Sequence, residues 1–372
     1  MWDVIRRRPG RIADDSPPEM SCEGRRKWKE DVQLIKELGV SHYRFSIDWS
    51  RVMSDGRTRN EKGMTYYRDL CKGLVENGIH PLVTLFHADL PLSLYNEGSW
   101  LREGMIDDFV HFAQYCFEEL GQFVTTWFTI NEIQMHAWSG IVKVKGHPFH
   151  SLDIDYKSIV GPVPLSSIPL IASKNMIIAH ARVYRLYRDK FYSIQHGRIG
   201  IILGGHWCEQ LNEDCRSATD RAFLSFFSMY LHPLINGDWP LEVKRILKEL
   251  LPSFTEEEQK VIKGTLDILG INFYRGHLIG QLNGKEGSLS EELFHFKEVE
   301  DEWERISGES SWIHLPEQSI DDHNRIRYMK EHLNVIGRVR EEGVNVVGYT
   351  AWSLMDNLEW DDGFSVKTQK RT

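Results

Sequence analysis

The chain has 372 residues, of which 41% are hydrophobic and 27% are charged, and its formal net charge is −9 at pH 7. This length lies within the range of a single α/β barrel, and the apolar content is sufficient for a large core. The acidic balance and the shortness of the basic runs exclude nucleic acid and anionic membranes as expected partners.

Short β-branched or aromatic runs alternate with stretches of helical period along most of the chain. The predicted strands, in chain order, are "VSHYRFSI" (40–47), "IHPLVTLF" (79–86), "FVTTWFTI" (123–130), "GRIGIIL" (197–203), "DILGINF" (267–273) and "NVVGYTAW" (345–352). Amphipathic stretches such as "KWKEDVQLIKEL", "MIDDFVHFAQYCFEEL" and "DHNRIRYMKEHLNVIGRVREEG" precede them. This alternation predicts a parallel sheet covered by helices.

Polar and aromatic side chains follow the predicted strands at the points where the strands end. They are His87 and Asp89, then Asn131 and Glu132, then Tyr274, then Trp352, Asp356 and Glu359. An open doubly wound sheet is the competing fold, but no glycine-rich phosphate loop follows any of these strands. Functional groups at the carboxyl ends of several different strands are typical of a (β/α)8 TIM barrel.

Several phrases in this chain, in order along nearly its whole length, resemble the family 1 glycoside hydrolases. They include "KEDVQLIKELGVSHYRFSIDWSRV", "WFTINEIQ", "LPSFTEEEQKVIKGTLDILGINFYRG" and "NVVGYTAWSLMDNLEWDDGFS". That family contains retaining β-glucosidases and β-galactosidases, with the klotho- and lactase-like animal branch among them. The resemblance implies a TIM barrel that hydrolyses the O-glycosyl bonds of β-glycosides with no cofactor and no metal.

The resemblance also implies roles for individual residues. Retaining hydrolysis uses two carboxyl groups about 5 to 5.5 Å apart, one as acid/base and one as nucleophile. Glu132 matches the acid/base, and Asn131 matches the amide that binds the sugar 2-hydroxyl. The other matching positions are His87, Trp352, Glu359 and Trp360, which bind the sugar in the family, and Arg44 and Tyr274, which support the nucleophile.

Each of these residues, taken singly, also has a structural interpretation. A strand-end glutamate or asparagine can simply terminate a strand, a tryptophan can belong to the core, and an arginine can belong to an ion pair. His87 and Asp89 could form half of a metal site, which leaves a metal-dependent hydrolase as a minor alternative. Ala88 stands where the family usually has a tryptophan, so sugar affinity at that position is in doubt.

The family's nucleophile lies in an "I-T-E-N-G" phrase at the end of the seventh strand, and this chain contains no such phrase. The nearest tripeptide is in "VENG" (75–78), where Gly78 is expected to cap a helix in the left-handed conformation. The sequence passes from Glu317 directly to Gln318 where the strand should lie. The sequence therefore predicts one domain over residues 1–372 that lacks the nucleophile, the first and seventh strands and the last helix, as a truncated or exon-skipped form.

The remaining expectations concern location and partners. The start of the chain has no apolar signal segment, no N-x-[ST] sequon occurs, and the five cysteines form no C-x-x-C pair. A cytoplasmic location is expected for the chain as written, whereas full-length relatives are expected to include secreted proteins. The expected ligand is a β-glycoside or another carbohydrate. A catalytically dead, klotho-like module that binds carbohydrate or a protein partner is the alternative.

Overall fold

The computed structural model describes residues 22–139, 155–205, 207–274, 276–280, 297–298, 323–355 and 357–358, together with residues 4, 12 and 363. The strands are β1 (His42–Ser46), β2 (His80–Phe86), β3 (Thr126–Asn131), β4 (Arg198–Gly204), β5 (Trp207–Gln210), β6 (Ile268–Asn272), β7 (Gly276–Gly280) and β8 (Lys297–Glu298). The first helices are α1 (Gly24–Glu37), α2 (Trp49–Val52), α3 (Glu61–Glu76), α4 (Leu92–Asn96), α5 (Met105–Leu120), α6 (Tyr156–Val160) and α7 (Ile168–Lys190). They are followed by α8 (Tyr192–Gln195), α9 (Arg216–Phe223), α10 (Met229–Asn236), α11 (Leu241–Leu247), α12 (Glu256–Ile262) and α13 (His323–Glu341).

The main sheet of the described chain contains five parallel strands in the order β1-β2-β3-β4-β6. Parallel neighbours need a crossover connection, and helices supply it between these strands. Because the strands run in one direction, their carboxyl ends all meet at one edge of the sheet. This arrangement is the open half of a (β/α)8 barrel, as the sequence predicts.

The core lies between this sheet and the helices on its outer face. All six residues of β3 are buried, and the Trp127 indole packs edge-on against Phe117 of α5 with the ring centroids 4.9 Å apart. The long helix α7 packs against α5 and α12 and buries most of its apolar residues. Burial on both faces explains why β3 reads as an uninterrupted apolar run rather than an alternating one.

The first five predicted strands are confirmed as β1, β2, β3, β4 and β6, and the helical stretches between them are confirmed as well. The helix cap in "VENG" is also confirmed, because Gly78 has a φ of 73° directly after α3. The predicted strand over 345–352 is wrong: residues 344–350 lie outside any regular element. They have no strand neighbour in the described part of the chain, so the backbone has no ladder to join.

A second, smaller sheet was not expected from the sequence. Its strand order is β5-β7-β8, with β5 and β7 parallel and β7 and β8 antiparallel. The strand β5 follows β4 after two residues and β7 follows β6 after three, so these short strands extend beyond the carboxyl edge of the main sheet. In the residues that the structure describes, no helix is both long enough and apolar enough to cross a membrane.

Candidate active site

The carboxyl edge of the main sheet brings together side chains from strands far apart in sequence. Arg44 lies on β1, Asn131 ends β3, Glu132 follows it, and Asn272 ends β6. Four hydrogen bonds connect the members of this group with one another and with Thr84 of β2. Parallel strands in register place these residues together, since their last positions share one edge.

Glu132 is the partly buried carboxyl group at the centre of the site. Its Oε1 accepts a hydrogen bond of 2.7 Å from Asn272 Nδ2. Burial raises the pKa of Glu132, while the hydrogen bond from Asn272 and the charge of Arg44 act in the opposite direction. A carboxyl group with a raised pKa holds its proton nearer to neutral pH, as a general acid must.

The backbone at Glu132 is left-handed, with a φ of 54°. The residue is held there by a hydrogen bond of 2.8 Å from its backbone N–H to Ile202 O on β4. A side chain other than glycine in this region costs of order 1–3 kcal/mol, and such strain is concentrated at functional sites. The strand thus ends abruptly and turns the carboxyl group out of the strand direction.

Asn131 is 3% exposed, and its side-chain oxygen accepts two hydrogen bonds. Oδ1 accepts from Arg44 Nη2 at 2.7 Å and from Asn272 Nδ2 at 3.1 Å. This pair of donors fixes the amide orientation, because a flipped amide would bring its own N–H groups against two donors. The amide nitrogen is therefore the end of Asn131 that can donate to a sugar hydroxyl.

Arg44 supplies the positive charge of the site. Its Nε donates to Thr84 Oγ1 at 3.0 Å, and its Nη2 donates to Asn131. Burial lowers the pKa of Arg44 to about 10, against the raising influence of Tyr274 and Glu132. The guanidinium is therefore still charged at pH 7, and it is held in one orientation beside the acid.

His87 follows β2 and lies on the same side of the sheet. Burial, with smaller contributions from Arg44 and His136, lowers the pKa of His87 to about 3. The imidazole is neutral at pH 7 and can both donate and accept a hydrogen bond. Its ring centroid lies 6.1 Å from that of Trp352, which is 44% exposed.

The remaining predicted site residues are Tyr274, Glu359 and Trp360. Tyr274 is 44% exposed, and its backbone carbonyl accepts a hydrogen bond of 2.6 Å from Tyr328 of α13. Tyr274 still acts electrostatically on Arg44. Glu359 and Trp360 lie outside the described residues, as do Asp356 and the junction of Glu317 and Gln318.

Asn272 is the functional residue that the sequence pattern did not indicate. It donates both to Glu132 and to Asn131, so it fixes the acid against its neighbour. The available signal was its position as the last residue of a predicted strand, two places before Tyr274. An asparagine there is easily taken for a strand terminator, and only the register of β6 against β4 shows its contact with Glu132.

The metal alternative has little support at Asp89. That carboxyl group is buried, and burial and the nearby Asp48 raise its pKa well above the usual range. Among the described residues, no group of three or more His, Cys, Asp or Glu side chains is placed to hold a metal ion.

Comparison with known proteins finds relatives that agree with one another in family. The model of "Glycosyl hydrolase family 1" matches residues 1–318 and 307–368. Beta-glucosidase 25 of Oryza sativa subsp. japonica is 32% identical over 428 aligned residues, which cover 99% of this chain and 83% of that protein. The coniferin beta-glucosidase of Pinus contorta is 31% identical, with 98% of this chain and 81% of that protein covered.

Solved structures agree with these relatives in fold. A beta-glucosidase from the fungus Humicola insolens, solved in complex with glucose, superposes with a TM-score of 0.86 at 29% identity. The alignment covers 99% of this chain and 87% of that one. An aphid myrosinase superposes with a TM-score of 0.81 at 27% identity, over 99% of this chain and 86% of that one.

Proposed function

Because the chain belongs to glycosyl hydrolase family 1, with β-glucosidases as its relatives, we propose that its site binds β-glycosides with Glu132 as the acid/base. Glu132 protonates the glycosidic oxygen as the leaving group departs. Asn131 donates to the sugar 2-hydroxyl, and His87 and Trp352 contact the sugar. Arg44 and Tyr274 face the position that a nucleophilic carboxylate takes in the family. Glu359 and Trp360 complete the sugar site in this proposal.

The observation that carries the proposal is the partly buried, hydrogen-bonded carboxyl group of Glu132, whose pKa is raised. Burial raises its pKa, and the hydrogen bond from Asn272 holds it in position. A general acid needs both a raised pKa and a fixed position to protonate a leaving oxygen. A glutamate that merely ends a strand would more favourably point into water, since burial of a carboxyl group costs free energy.

We propose further that the chain lacks its nucleophile through an internal deletion at Glu317 and Gln318. Two observations support this proposal. The family matches in two parts, which meet and overlap at residues 307–318, instead of in one continuous part. The alignment with the first rice relative also extends over 428 positions, more than the 372 residues of this chain, so that protein has residues without a counterpart here.

A non-catalytic, klotho-like module is the second candidate function. Ala88 favours it, because this small residue is buried where the family usually has an aromatic side chain at the sugar site. Glu132 argues against it, because binding alone does not require a strained, buried carboxyl group. In this candidate the cleft recognises a carbohydrate or a protein partner without cleaving a bond.

The proposal is tested by the release of nitrophenol from 4-nitrophenyl β-glucoside, with and without sodium azide. If only the nucleophile is missing, azide attacks the anomeric carbon, the C–O bond to nitrophenol breaks, and an α-glycosyl azide forms. We expect turnover only in the presence of azide, with the α-azide as the product. Robust turnover without azide would contradict the absence of a nucleophile.

The matched control is Glu132→Gln, which keeps the shape of the side chain and removes its proton. General acid catalysis contributes typically 10²–10⁴-fold, so this variant should lose about that factor on substrates with poor leaving groups. The loss should be much smaller on 2,4-dinitrophenyl β-glucoside, whose leaving group departs without protonation. Equal losses on both substrates would contradict the acid role, and binding without turnover under all conditions would favour the second candidate.

A further inference from the structure

Arg44 is a charged group whose hydrogen-bond partners in the described chain are neutral. Its side chain is partly buried. Nε donates to the hydroxyl of Thr84 at 3.0 Å, and Nη2 donates to the amide oxygen of Asn131 at 2.7 Å. Glu132 acts on Arg44 through its charge but is hydrogen-bonded to Asn272 instead. Among the described residues, the guanidinium therefore contacts dipoles and no carboxylate.

Other partly buried arginines of this protein are paired with carboxylates. The side chain of Arg68 is 29% exposed, and its Nη1 lies 2.5 Å from Glu119 Oε2. The side chain of Arg188 is also 29% exposed, and it pairs with Asp267. Removal of a charged group from water costs free energy, and an opposite charge offsets part of that cost. At Arg44 the described residues supply no such opposite charge in direct contact.

The guanidinium of Arg44 also keeps donors for a ligand. The chain uses the N–H of Nε and one N–H of Nη2. Nη1 has no hydrogen-bond partner in the described residues, and it is not one of the enclosed polar atoms there, so a small ligand can reach it. The remaining N–H groups of Nη1 and Nη2 point the same way, and this fork binds the two oxygens of a carboxylate through parallel hydrogen bonds.

The neighbouring groups limit the charge of such a ligand. Burial lowers the pKa of Arg44 to about 10, so the side chain is still charged at pH 7. Burial lowers the pKa of His87 to about 3, so its ring supplies no second positive charge. The carboxyl group of Glu132 is close enough to act on Arg44, and it opposes further negative charge. A monovalent anion therefore fits this single cation better than a phosphate or sulfate dianion.

We propose that Arg44 forms an anion-binding site that takes a monocarboxylate, held by the fork of Nη1 and Nη2. A free small acid and a sugar acid both present the same planar pair of oxygens, and the experiment distinguishes these two sources. The inference goes beyond the proposed function, because it requires neither bond cleavage nor proton transfer from Glu132. It applies equally to a hydrolase and to a non-catalytic module.

The test measures the binding of sodium acetate and of sodium D-gluconate to the full chain at pH 7, in a zwitterionic buffer of low ionic strength. Saturation-transfer NMR on the ligand C–H protons gives the dissociation constants. Arg44→Met removes the charge and the fork, and it should weaken the binding of the preferred acid by at least about tenfold. Tighter binding of gluconate than of acetate identifies a sugar acid as the ligand, and the reverse order identifies a free small acid.

Arg59→Met is the matched control, because it changes the net charge of the protein by the same amount. The side chain of Arg59 is 45% exposed, and its Nη2 lies 2.6 Å from Glu118 Oε2, so that guanidinium already has an anionic partner. The control variant should change the dissociation constant by less than about twofold. A loss as large as that of Arg44→Met would show a general effect of protein charge and would refute the site.

Glu132→Gln separates this inference from the proposed function. The variant removes the acid and a neighbouring negative charge, so it should bind the carboxylate at least as tightly as the wild type does. If the wild type binds neither carboxylate, or binds them no better than Arg44→Met does, the anion site is refuted while azide-dependent turnover is judged separately. If the carboxylate binds through Arg44 and azide gives no turnover, the hydrolase function fails and the anion site stands. If Arg44→Met does not fold, Arg44→Gln provides the comparison, since its amide keeps a donor and carries no charge.

Discussion

The strand β3 and the segment 344–352 contain similar types of residue but differ in structure. Both are rich in β-branched and aromatic residues, and both are followed by candidate site residues. All six residues of β3 are buried, whereas Val344 and Val347 are 55% and 58% exposed and form no strand. β3 has a hydrogen-bonded neighbour on each side, β2 and β4. The difference shows that an apolar run becomes a parallel strand only where neighbouring strands accept its backbone.

The segment after α13 is held mainly by side chains. His42 Nε2 of β1 lies 2.8 Å from Thr350 Oγ1, and Leu354 packs against a small apolar cluster that includes Val32 and Ile35 of α1. Such contacts fix a segment with less free energy than a complete ladder and a buried face provide. We therefore expect substitutions in the two regions to differ strongly in their effect on stability.

Replacement of a tryptophan in each region should give the largest contrast. Trp127 is fully buried in β3, and Trp127→Ala should lower the free energy of unfolding by about 3–5 kcal/mol. Trp352 is 44% exposed, and Trp352→Ala should lower it by less than about 1 kcal/mol. Urea denaturation followed by circular dichroism measures both values. Similar losses in the two variants would show that residues 344–352 are as well packed as β3.

Acid should destabilise the β3 region through a buried histidine. His180 Nδ1 lies 2.7 Å from Thr129 Oγ1 of β3, and Nε2 lies 2.7 Å from Thr265 O. Burial lowers the pKa of His180 to about 4, from 6.5 in the unfolded chain. As the pH falls from 6.5 to 4, the unfolded state gains a proton that the folded state does not. The stability that the neutral ring provides above pH 6.5 is therefore lost over this window, by about 3 kcal/mol.

The measurement is the free energy of unfolding at pH 7 and at pH 4.5, for the wild type and for His180→Asn. The variant should be less stable at pH 7, because it loses a contact in the core, but its stability should fall less between the two pH values. No histidine occurs in residues 344–355, although His42 of β1 contacts that region at Thr350. Equal pH dependence in the two proteins would show that His180 is not the group responsible.

Asn272 lies at one edge of the main sheet, because β6 is the outermost described strand on that side. Asn272→Ala removes the donor that lowers the pKa of Glu132, so that pKa should rise further. A hydrogen bond to a charged group contributes about 1.5–3 kcal/mol, so the rise should be measurable. A carbon-13 NMR titration of labelled glutamate carboxyls, with Glu132→Gln to assign the signal, measures the change. A lowered or unchanged pKa would contradict the contact.

The smallest effect is expected at Val347, which is 58% exposed. Val347→Ala should change the free energy of unfolding by no more than about 0.5 kcal/mol. Val83→Ala on β2 is the buried counterpart, and it should be destabilising by about 1–3 kcal/mol because it leaves a cavity. A large loss at Val347 would indicate that this side chain is covered in solution.

The sequence correctly predicts those strands whose apolar residue pattern is matched by neighbouring strands in the structure. Strands β1 to β4 and β6 were located to within a few residues because each run is apolar and bounded by helices. The error at 345–352 arose because periodicity records the preference of a segment and not the presence of a partner strand. β5 and β7 were missed because they follow other strands after only two and three residues.

The candidate site shows the same limit. Glu132, Asn131 and Arg44 were found through resemblance of short phrases, and the structure places them in one hydrogen-bonded group. Asn272 was not found, because its importance depends on the carboxyl and amide groups that surround it. Those contacts follow from the register of β3, β4 and β6, which pairs residues 68 or more positions apart.

The left-handed backbone at Glu132 has a consequence for directed evolution. Glycine adopts a φ of 54° without strain, and it would also remove a carboxyl group whose burial is unfavourable. A library of variants sorted by melting temperature alone should therefore enrich glycine at position 132. A screen for a more stable version of this protein should therefore also select for ligand binding, because selection on melting temperature alone is expected to remove the Glu132 carboxyl group.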